Sequence, residues 1–353
     1  MSTLLVGTAV TRAGSVGTLY RSCGGGVFEP AIGIPTNTGV QAITADTHRP
    51  GRIYASTHAG LYRSDDNGAN FTRLSLPSEP GEHFWSVAIH PHDPSILLAG
   101  TGPIGVFKSE DGGEQWRRIA SPAGMAEQCD MSTGKFFKHS RVMSLAFDPT
   151  DPSRVYGAVE TSGVLYSGDG GESWENRSAG LIKLTEIEPA LRSQINVPDD
   201  REGVLDGHAV GLTTARPGVV YYACRMGLFC SEDHGITWTS LNIGQYAPYS
   251  YSRDLRFVPH APTSLYLALS IASRSDAGAL YRSDDLGQSW LRADTPVQAT
   301  STIMAMGVHP TDGRGACYVA RHGQVHWTEN SGETWHANQL PSDAGDAYCV
   351  LMI

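Results

Sequence analysis

The octapeptide SGDGGESW (Ser167–Trp174) decides the fold, because near copies of it recur along the whole chain. Each copy follows a short apolar or aromatic run and ends on Trp or Phe before a short polar stretch. The other copies are SDDNGANF (64–71), SEDGGEQW (109–116), SEDHGITW (231–238) and SDDLGQSW (283–290), with weaker ones in TENSGETW (328–335) and SCGGGVF (22–28). This pattern is typical of a strand, a tight turn and a returning strand.

We call this repeated octapeptide the box, and its aspartate is predicted to close the turn. Asp hydrogen-bonds the backbone of its own turn, and Gly adopts positive φ without steric cost. The alternative is calcium binding, because Asp-x-Asp-Gly resembles part of a calcium loop, but the remaining ligands and the distal Glu are missing. We therefore assign Asp111 a structural role and no chemistry.

The spacing of the boxes predicts the architecture. Successive boxes begin 42, 45, 58, 64, 52 and 45 residues apart, and a spacing near 45 residues fits one four-stranded propeller blade. Upstream of each box lie two β-rich runs joined by a Pro/Asp/Gly turn, as in VAIHPHDPSILLAG (87–100). Each blade is therefore an inner strand, a Pro-rich turn, a second strand, a loop, a third strand, the box turn and an outer strand.

The two ends of the chain complete each other. STLLVGTAV (2–10) reads as a second strand without its first, and AYCVLMI (347–353) as a strand without a blade. The sequence thus predicts an all-β fold, a single seven-bladed β-propeller over residues 1–353 with four-stranded antiparallel blades. The C-terminal strand would complete the N-terminal blade and close the ring, which leaves no open sheet edge between first and last blades.

These boxes resemble those of the BNR/Asp-box repeat propellers, a group that includes sialidases, xyloglucan hydrolases, sortilin-type receptors and photosystem-assembly factors. The resemblance covers nearly the whole chain and implies the architecture, whereas function varies across the group. The Arg-Ile-Pro signature of sialidases is absent, with GRIYAS (51–56) the nearest string, and sialidases have six blades. Xyloglucan hydrolases usually pair two propellers around a cleft, and this sequence encodes one.

Composition limits the partners. The 353 residues carry a formal net charge of −10, which argues against nucleic acid or an anionic membrane as the main partner. No apolar run approaches the ~18 residues that span a membrane, and the N-terminus does not read as a signal peptide. Six cysteines without CxxC spacing are typical of free thiols in a reducing compartment. We expect a cytoplasmic protein, with its oligomeric state open.

One end of the blades is predicted to carry the function. Because strands alternate in direction, the Pro-rich turns and box turns share one end, which we call the turn end. The loops before inner strands and between second and third strands share the other, the loop end. Insertions 117–140 and 175–207 fall at the loop end, and the second is predicted to contain a helix from Glu186 to Ile195. Variable loops on a rigid scaffold are where sites usually lie.

Five histidines from different blades fall at the predicted loop end, namely His58, His83, His139, His208 and His322. Neutral imidazoles from several blades could hold a divalent transition metal such as Zn²⁺, Mn²⁺ or Fe²⁺, with nearby carboxylates orienting them. Some seven-bladed propellers, including carotenoid oxygenases and oligogalacturonate lyases, hold a metal this way, an analogy of architecture. The alternative is a polar, wet channel without metal.

Four arginines accompany the histidines, namely Arg141, Arg225, Arg253 and Arg321. Paired guanidinium donors suit a carboxylate, sulfate or phosphate, so these side chains are predicted to bind an anionic substrate. The alternative is salt bridging to carboxylates at the same end, such as Glu82, Glu160, Asp206 and Asp254.

Together these features favour an enzyme acting on a small-molecule or oligosaccharide anionic substrate by metal-assisted hydrolysis or elimination. Glu160 or Asp254 would move a proton, and Tyr251 or an arginine would stabilise the developing negative charge. A non-catalytic binding or assembly propeller that holds a peptide or protein is the first alternative. A glycoside hydrolase is the second.

Overall fold

The chain is a seven-bladed β-propeller. A computed structural model describes residues 2–119, 129–130, 135–136, 140–192 and 202–353. In this part of the chain, seven sheets of four antiparallel strands follow one another, and each sheet keeps its strands in the predicted order. The predicted fold class is therefore confirmed.

The first three blades in chain order occupy residues 3–119. The N-terminal blade contains β1 (Thr3–Ala9), β2 (Leu19–Cys23) and β3 (Glu29–Pro30). The next contains β4 (Val40–Ala45), β5 (Ile53–Thr57), β6 (Gly60–Ser64) and β7 (Thr72–Arg73). The third contains β8 (His83–Ile89), β9 (Leu97–Gly102), β10 (Gly105–Ser109) and β11 (Arg117–Ile119), and a short hairpin of β12 (Cys129–Asp130) and β13 (Lys135–Phe136) follows it.

The remaining blades follow the two insertions. They contain β14 (Val142–Phe147), β15 (Val155–Val159), β16 (Gly163–Ser167) and β17 (Glu175–Asn176), then β18 (Gly207–Gly211), β19 (Val220–Cys224), β20 (Gly227–Ser231) and β21 (Thr239–Ser240). The last two contain β22 (Tyr251–Val258), β23 (Ala261–Ser270), β24 (Gly278–Ser283) and β25 (Leu291–Arg292), then β26 (Ile303–Val308), β27 (Ala316–Ala320), β28 (Gln324–Thr328) and β29 (His336–Gln339). The C-terminal strand is β30 (Asp346–Met352).

The chain divides into two compact units, which are described separately below. Unit 1 comprises Met1–Leu76 together with Asp254–Ile353, and unit 2 comprises Pro77–Arg253. None of the helices in the described residues has the length and apolar character needed to cross a bilayer.

Within unit 1, the C-terminal strand completes the N-terminal blade as predicted. β30 pairs antiparallel with β1, in a register that runs from Leu4 opposite Met352 to Ala9 opposite Asp346. The sheet order is β3, β2, β1 and β30. The strand that begins the chain and the strand that ends it therefore satisfy each other's backbone groups.

The Asp box forms the predicted turn. In the box after β16, Asp169 Oδ1 accepts hydrogen bonds from the backbone N–H groups of Glu172 and Ser173 at 3.0 and 2.9 Å and from Ser167 Oγ at 2.7 Å. Burial alone would raise the pKa of Asp169, but these hydrogen bonds outweigh it and hold the pKa at about 2. Gly171 has φ +90°, and a Cβ there would lie 2.9 Å from Leu98, so only glycine fits.

The aromatic residue of the box enters the core between neighbouring blades. Trp174 is 8% exposed and belongs to a buried cluster in unit 2 that includes Leu98, Val142 and Phe147. Its indole Nε1 donates to the carbonyl oxygen of Gly171 at 3.2 Å. One octapeptide thus closes a turn and supplies a large apolar side chain to the core, which explains why the motif recurs.

The second insertion folds differently from the prediction in its described part. The helix α1 spans Ala179–Ile187, not Glu186 to Ile195, and a short 3₁₀ turn follows over Pro189–Leu191. Pro189 cannot continue a helix because it lacks an N–H and clashes with the preceding turn. A second short helix, α2, spans Glu202–Leu205, and residues 193–201 lie outside the described part.

Candidate functional site

A β-bulge near the start of the inner strand recurs in six blades. In each bulge, two residues of the inner strand lie opposite one residue of the neighbouring strand, so that one inner-strand residue has no partner in the register. The extra residues are Gln41, Trp85, Met143, His208, Met304 and Tyr348. Bulges re-aim side chains and are frequent beside functional sites, so these positions locate the candidate site at the loop end.

The bulge residue His208 lies in a buried charged cluster of unit 2. Its Nδ1 is 2.8 Å from the carbonyl oxygen of Ser252, and its Nε2 is 3.6 Å from Asp206 Oδ2. Arg225 binds the same Asp206 oxygen through Nε at 3.0 Å and a terminal nitrogen at 2.9 Å. Burial alone would raise the pKa of Asp206, but the charges of His208, Arg225 and Arg253 hold it at about 2.

Tyr251 packs against this cluster. Its ring centroid is 4.8 Å from that of His208, and the side chain is 4% exposed. Burial raises the pKa of the Tyr251 phenol, and the charges of Asp206 and Glu160 raise it further. The phenol therefore keeps its proton at neutral pH and can donate a hydrogen bond.

Arg141 and Glu160 form an ion pair in the adjoining blade of unit 2. The distance between Arg141 Nη1 and Glu160 Oε2 is 2.6 Å, and the two side chains are 37% and 26% exposed. The guanidinium of Arg141 also lies over the ring of the bulge residue Trp85, 4.5 Å from its centroid. A cation and a carboxylate are thus held together over a buried aromatic ring, and only the two charged groups remain partly accessible to solvent.

A pocket of about 690 Å³ opens at the loop end of unit 1. Its buried anchor is Arg321, which binds Asp346 Oδ2 at 3.2 Å and the carbonyl oxygen of Ser273 at 3.2 Å. The guanidinium of Arg321 is 5.9 Å from the ring centroid of the bulge residue Tyr348. The lining is formed by Thr11, Arg12, Arg274, Ser275, Asp276, Thr300, Arg321, His322 and Asp346.

The histidines predicted to bind metal lie in different settings. In unit 1, His58 Nε2 is 2.9 Å from the amide nitrogen of Gln41, and His322 is exposed beside the pocket. In unit 2, His83 begins β8 and is half-buried, while His208 already faces an acceptor at each ring nitrogen. His139 lies outside the described residues. Within the described part, no three His, Cys, Asp or Glu side chains are grouped to hold a metal ion, so the metal site stays a prediction.

Asp254 was predicted at the start of an inner strand with a role in proton transfer, but it is the fourth residue of β22. Its carboxylate is buried and accepts hydrogen bonds from Arg256 at 3.2 Å and from the backbone N–H of Met306 in β26 at 3.0 Å. Ser86 links neighbouring inner strands of unit 2 in a similar way, donating to the carbonyl oxygen of Val142 at 2.7 Å. These contacts are those of a carboxylate that ties one blade to the next.

The structure therefore brings some of the predicted site residues together and adds others. Glu160, Tyr251, Arg141, Arg225 and Arg253 lie in unit 2, and Arg321 lies in unit 1. The predicted residues did not include Trp85 and Tyr348, whose rings support the arginines, or the pocket residues Arg12 and Arg274. An aromatic residue near the start of an inner strand, as in HFWS (83–86) and AYC (347–349), was the signal that could have found the first two.

Comparisons with known proteins agree with this architecture. No protein-family model matches the chain. The oligoxyloglucan-reducing end-specific xyloglucanase of Emericella nidulans is 25% identical over 222 residues, which cover 58% of this chain and 26% of that protein. The photosystem II stability/assembly factor HCF136 of Arabidopsis thaliana is 23% identical over 335 residues, which cover 84% of this chain and 78% of that protein. The chain thus spans about a quarter of the first relative and most of the second.

Among solved structures, the GH74 xyloglucanase of Xanthomonas campestris superposes with a TM-score of 0.61 at 18% identity, over 84% of this chain and 45% of that one. At this identity the similarity shows the fold. It agrees with the seven-bladed propeller, whose repeated Asp boxes resemble those of the BNR repeat propellers.

Proposed function

We propose that the chain is an oligosaccharide-binding propeller that holds its ligand at the loop end. The observation that carries the proposal is the state of the carboxylates in unit 2. Asp206 is ionised, with its pKa at about 2, and Glu160 is paired with Arg141 at 2.6 Å. A glycosidase needs one carboxylic acid with a raised pKa to protonate the leaving group. The lowered pKa of Asp206 does not meet this need, and a partly exposed carboxylate held beside a guanidinium, as at Glu160, is suited to binding.

The chemistry of a sugar matches these groups. Each sugar hydroxyl both donates and accepts, so a partly exposed guanidinium beside a carboxylate offers it a donor and an acceptor in fixed positions. The buried ring of Trp85 lies beneath the guanidinium of Arg141 and fixes its position.

Two kinds of relative support the proposal, one for its ligand class and the other for its mode of action. The xyloglucanases are named for an oligosaccharide substrate, which favours a saccharide ligand here. The relative that matches most of both chains is named a stability/assembly factor, which favours binding without turnover.

The test is titration calorimetry of the purified chain with xyloglucan oligosaccharides and with an equal set of other neutral and acidic oligosaccharides. We expect saturable binding of at least one, weakened about 10-fold, or ~1.4 kcal/mol, by Glu160→Gln. The matched control is Glu232→Gln, which also removes an exposed carboxylate paired with an arginine, Arg216, but at the turn end. The absence of saturable binding to every oligosaccharide would contradict the proposal.

Glycoside hydrolysis is the second candidate. The observation that favours it is that Asp206 and Glu160 both raise the pKa of Tyr251, so two carboxylates share one cluster, as in glycosidases. Glu160 would then act as the acid, since Asp206 is held ionised. Release of reducing ends from xyloglucan by the wild type, with at least ~100-fold less by Glu160→Gln, would favour hydrolysis over binding.

A further inference from the structure

We propose that the pocket of unit 1 binds the carboxylate of an acidic, uronate-bearing oligosaccharide through Arg274 and Arg12. The inference rests on the proposed function for the saccharide part of the ligand and adds the charged group that the pocket recognises. Every residue that lines the pocket belongs to unit 1.

The pocket is built from loops that a rigid scaffold presents together. Arg12 lies between β1 and β2, Arg274 between β23 and β24, and Arg321 between β27 and β28. Each of these loops joins a second strand to a third strand, so all three belong to the loop end. Its volume of about 690 Å³ lies within the range typical of sites for small ligands.

The charges in the pocket are unequally matched. Arg321 is buried and neutralised by Asp346 at 3.2 Å. Arg12 donates to the backbone carbonyl oxygens of Ser342 and Ala344 at 3.1 and 2.9 Å, and no carboxylate in the described part of the chain pairs with it.

Arg274 is the second uncompensated cation. It is exposed and lines the pocket beside Arg12 and His322. Among the described residues it has no hydrogen-bond or ion-pair partner, in contrast to Arg321. Three arginines therefore face two aspartates, Asp276 and Asp346, and the surplus positive charge lies on Arg12 and Arg274. A guanidinium with free donors is the side chain best shaped to bind a carboxylate.

The other lining groups indicate what carries that carboxylate. Hydroxyl-bearing Thr11, Ser275 and Thr300 and the carboxylate of Asp276 line the same space, and they offer partners to ligand hydroxyls. The two aspartates also repel a second negative charge on the ligand. A singly charged carboxylate on a hydroxylated ring therefore fits better than a phosphate dianion.

The test compares aldotriouronic acid, a trisaccharide with one uronate carboxylate, with its methyl ester by titration calorimetry on the full chain. We expect the acid to bind at least ~10-fold more tightly than the ester, with an affinity that falls as NaCl rises from 20 to 300 mM. Arg274→Gln should remove most of this preference and Arg12→Gln part of it. The control is Arg314→Gln, an exposed arginine of the same unit that pairs with Asp312 in a turn at the opposite end.

The outcomes distinguish failure of the acidic specificity from failure of saccharide binding. Equal binding of acid and ester, or an unchanged preference in Arg274→Gln, would overturn the acidic specificity and leave saccharide binding standing. Failure of every oligosaccharide to bind would overturn both. Tighter binding of inorganic phosphate or of an acidic peptide than of aldotriouronic acid would assign the pocket to another ligand class. Because Arg12 and Arg274 are exposed, their variants should melt like the wild type, and the melting curves check this.

Discussion

Acid should destabilise the fold through His326, a buried histidine in β28. Its side chain stacks on Tyr318 at 4.8 Å, the residue is 5% exposed, and neither ring nitrogen has a hydrogen-bond partner in the described part of the chain. Burial lowers its pKa from 6.5 to about 4, because the charged imidazolium would lose its hydration without gaining a partner.

The sign and the size follow from proton linkage. The unfolded chain takes up the proton below about pH 6.5, whereas the native chain takes it up only near pH 4. The contribution of the neutral histidine is therefore complete above pH 6.5 and is lost as pH falls towards 4. With these two pKa values the loss at pH 4.5 is about 2.5 kcal/mol, within an upper limit of about 3 kcal/mol.

The assay is urea unfolding of the wild type and of His326→Gln at pH 7.5, 6.5, 5.5 and 4.5. The wild type should lose about 2 to 3 kcal/mol more than the variant between the extremes, since glutamine does not titrate. The comparison also cancels the contribution of Asp294, a buried neighbour of Tyr318. Burial raises the pKa of the Asp294 carboxyl, so its contribution to stability changes with pH in the opposite direction to that of His326. The matched control is His48→Gln, an exposed histidine in a Pro-rich turn of the same unit. Equal pH dependence in wild type and His326→Gln would refute the reasoning.

Three further predictions address the box, the closing strand and the metal. Asp169→Ala should lower the free energy of unfolding by about 1 to 3 kcal/mol and spare ligand binding per folded molecule. Asp169→Asn should cost less, because Asn330 makes the same contacts in the last box. Selective loss of binding with unchanged melting would contradict this prediction. Deleting the segment from Ala347 onwards removes β30 and exposes strand edges, so aggregation should appear in gel filtration, and a monomer that melts normally would mean that β1 does not depend on it. The predicted histidine site implies stoichiometric zinc, manganese or iron in protein purified without a His tag, and metal content near zero with unchanged melting on adding these ions would exclude it.

The candidate site was only partly predictable. The sequence located Arg141, Arg225 and Glu160 at the loop end, because their positions relative to the strands are countable. It did not determine that Glu160 pairs with Arg141 or that Asp206 pairs with Arg225, because these contacts join residues at different strands. Asp254 shows the same limit, since its partner Met306 lies 52 positions further along the chain.

The sequence by itself determined the blades, their number and the turn that ends each one. A strand, an Asp-x-Gly turn and an inward aromatic residue are local features, and their repetition alone specifies a propeller. The tertiary structure decided which polar side chains meet. A bulge in each of six inner strands re-aims one residue, such as Trp85 or His208, and the neighbouring strand sets the partner that it finds. Those partners decide which charges are neutralised and which, as at Arg274, stay available to a ligand. Neutralisation depends on the distance between two charged groups in the folded chain, and the spacing of residues in the sequence does not give that distance.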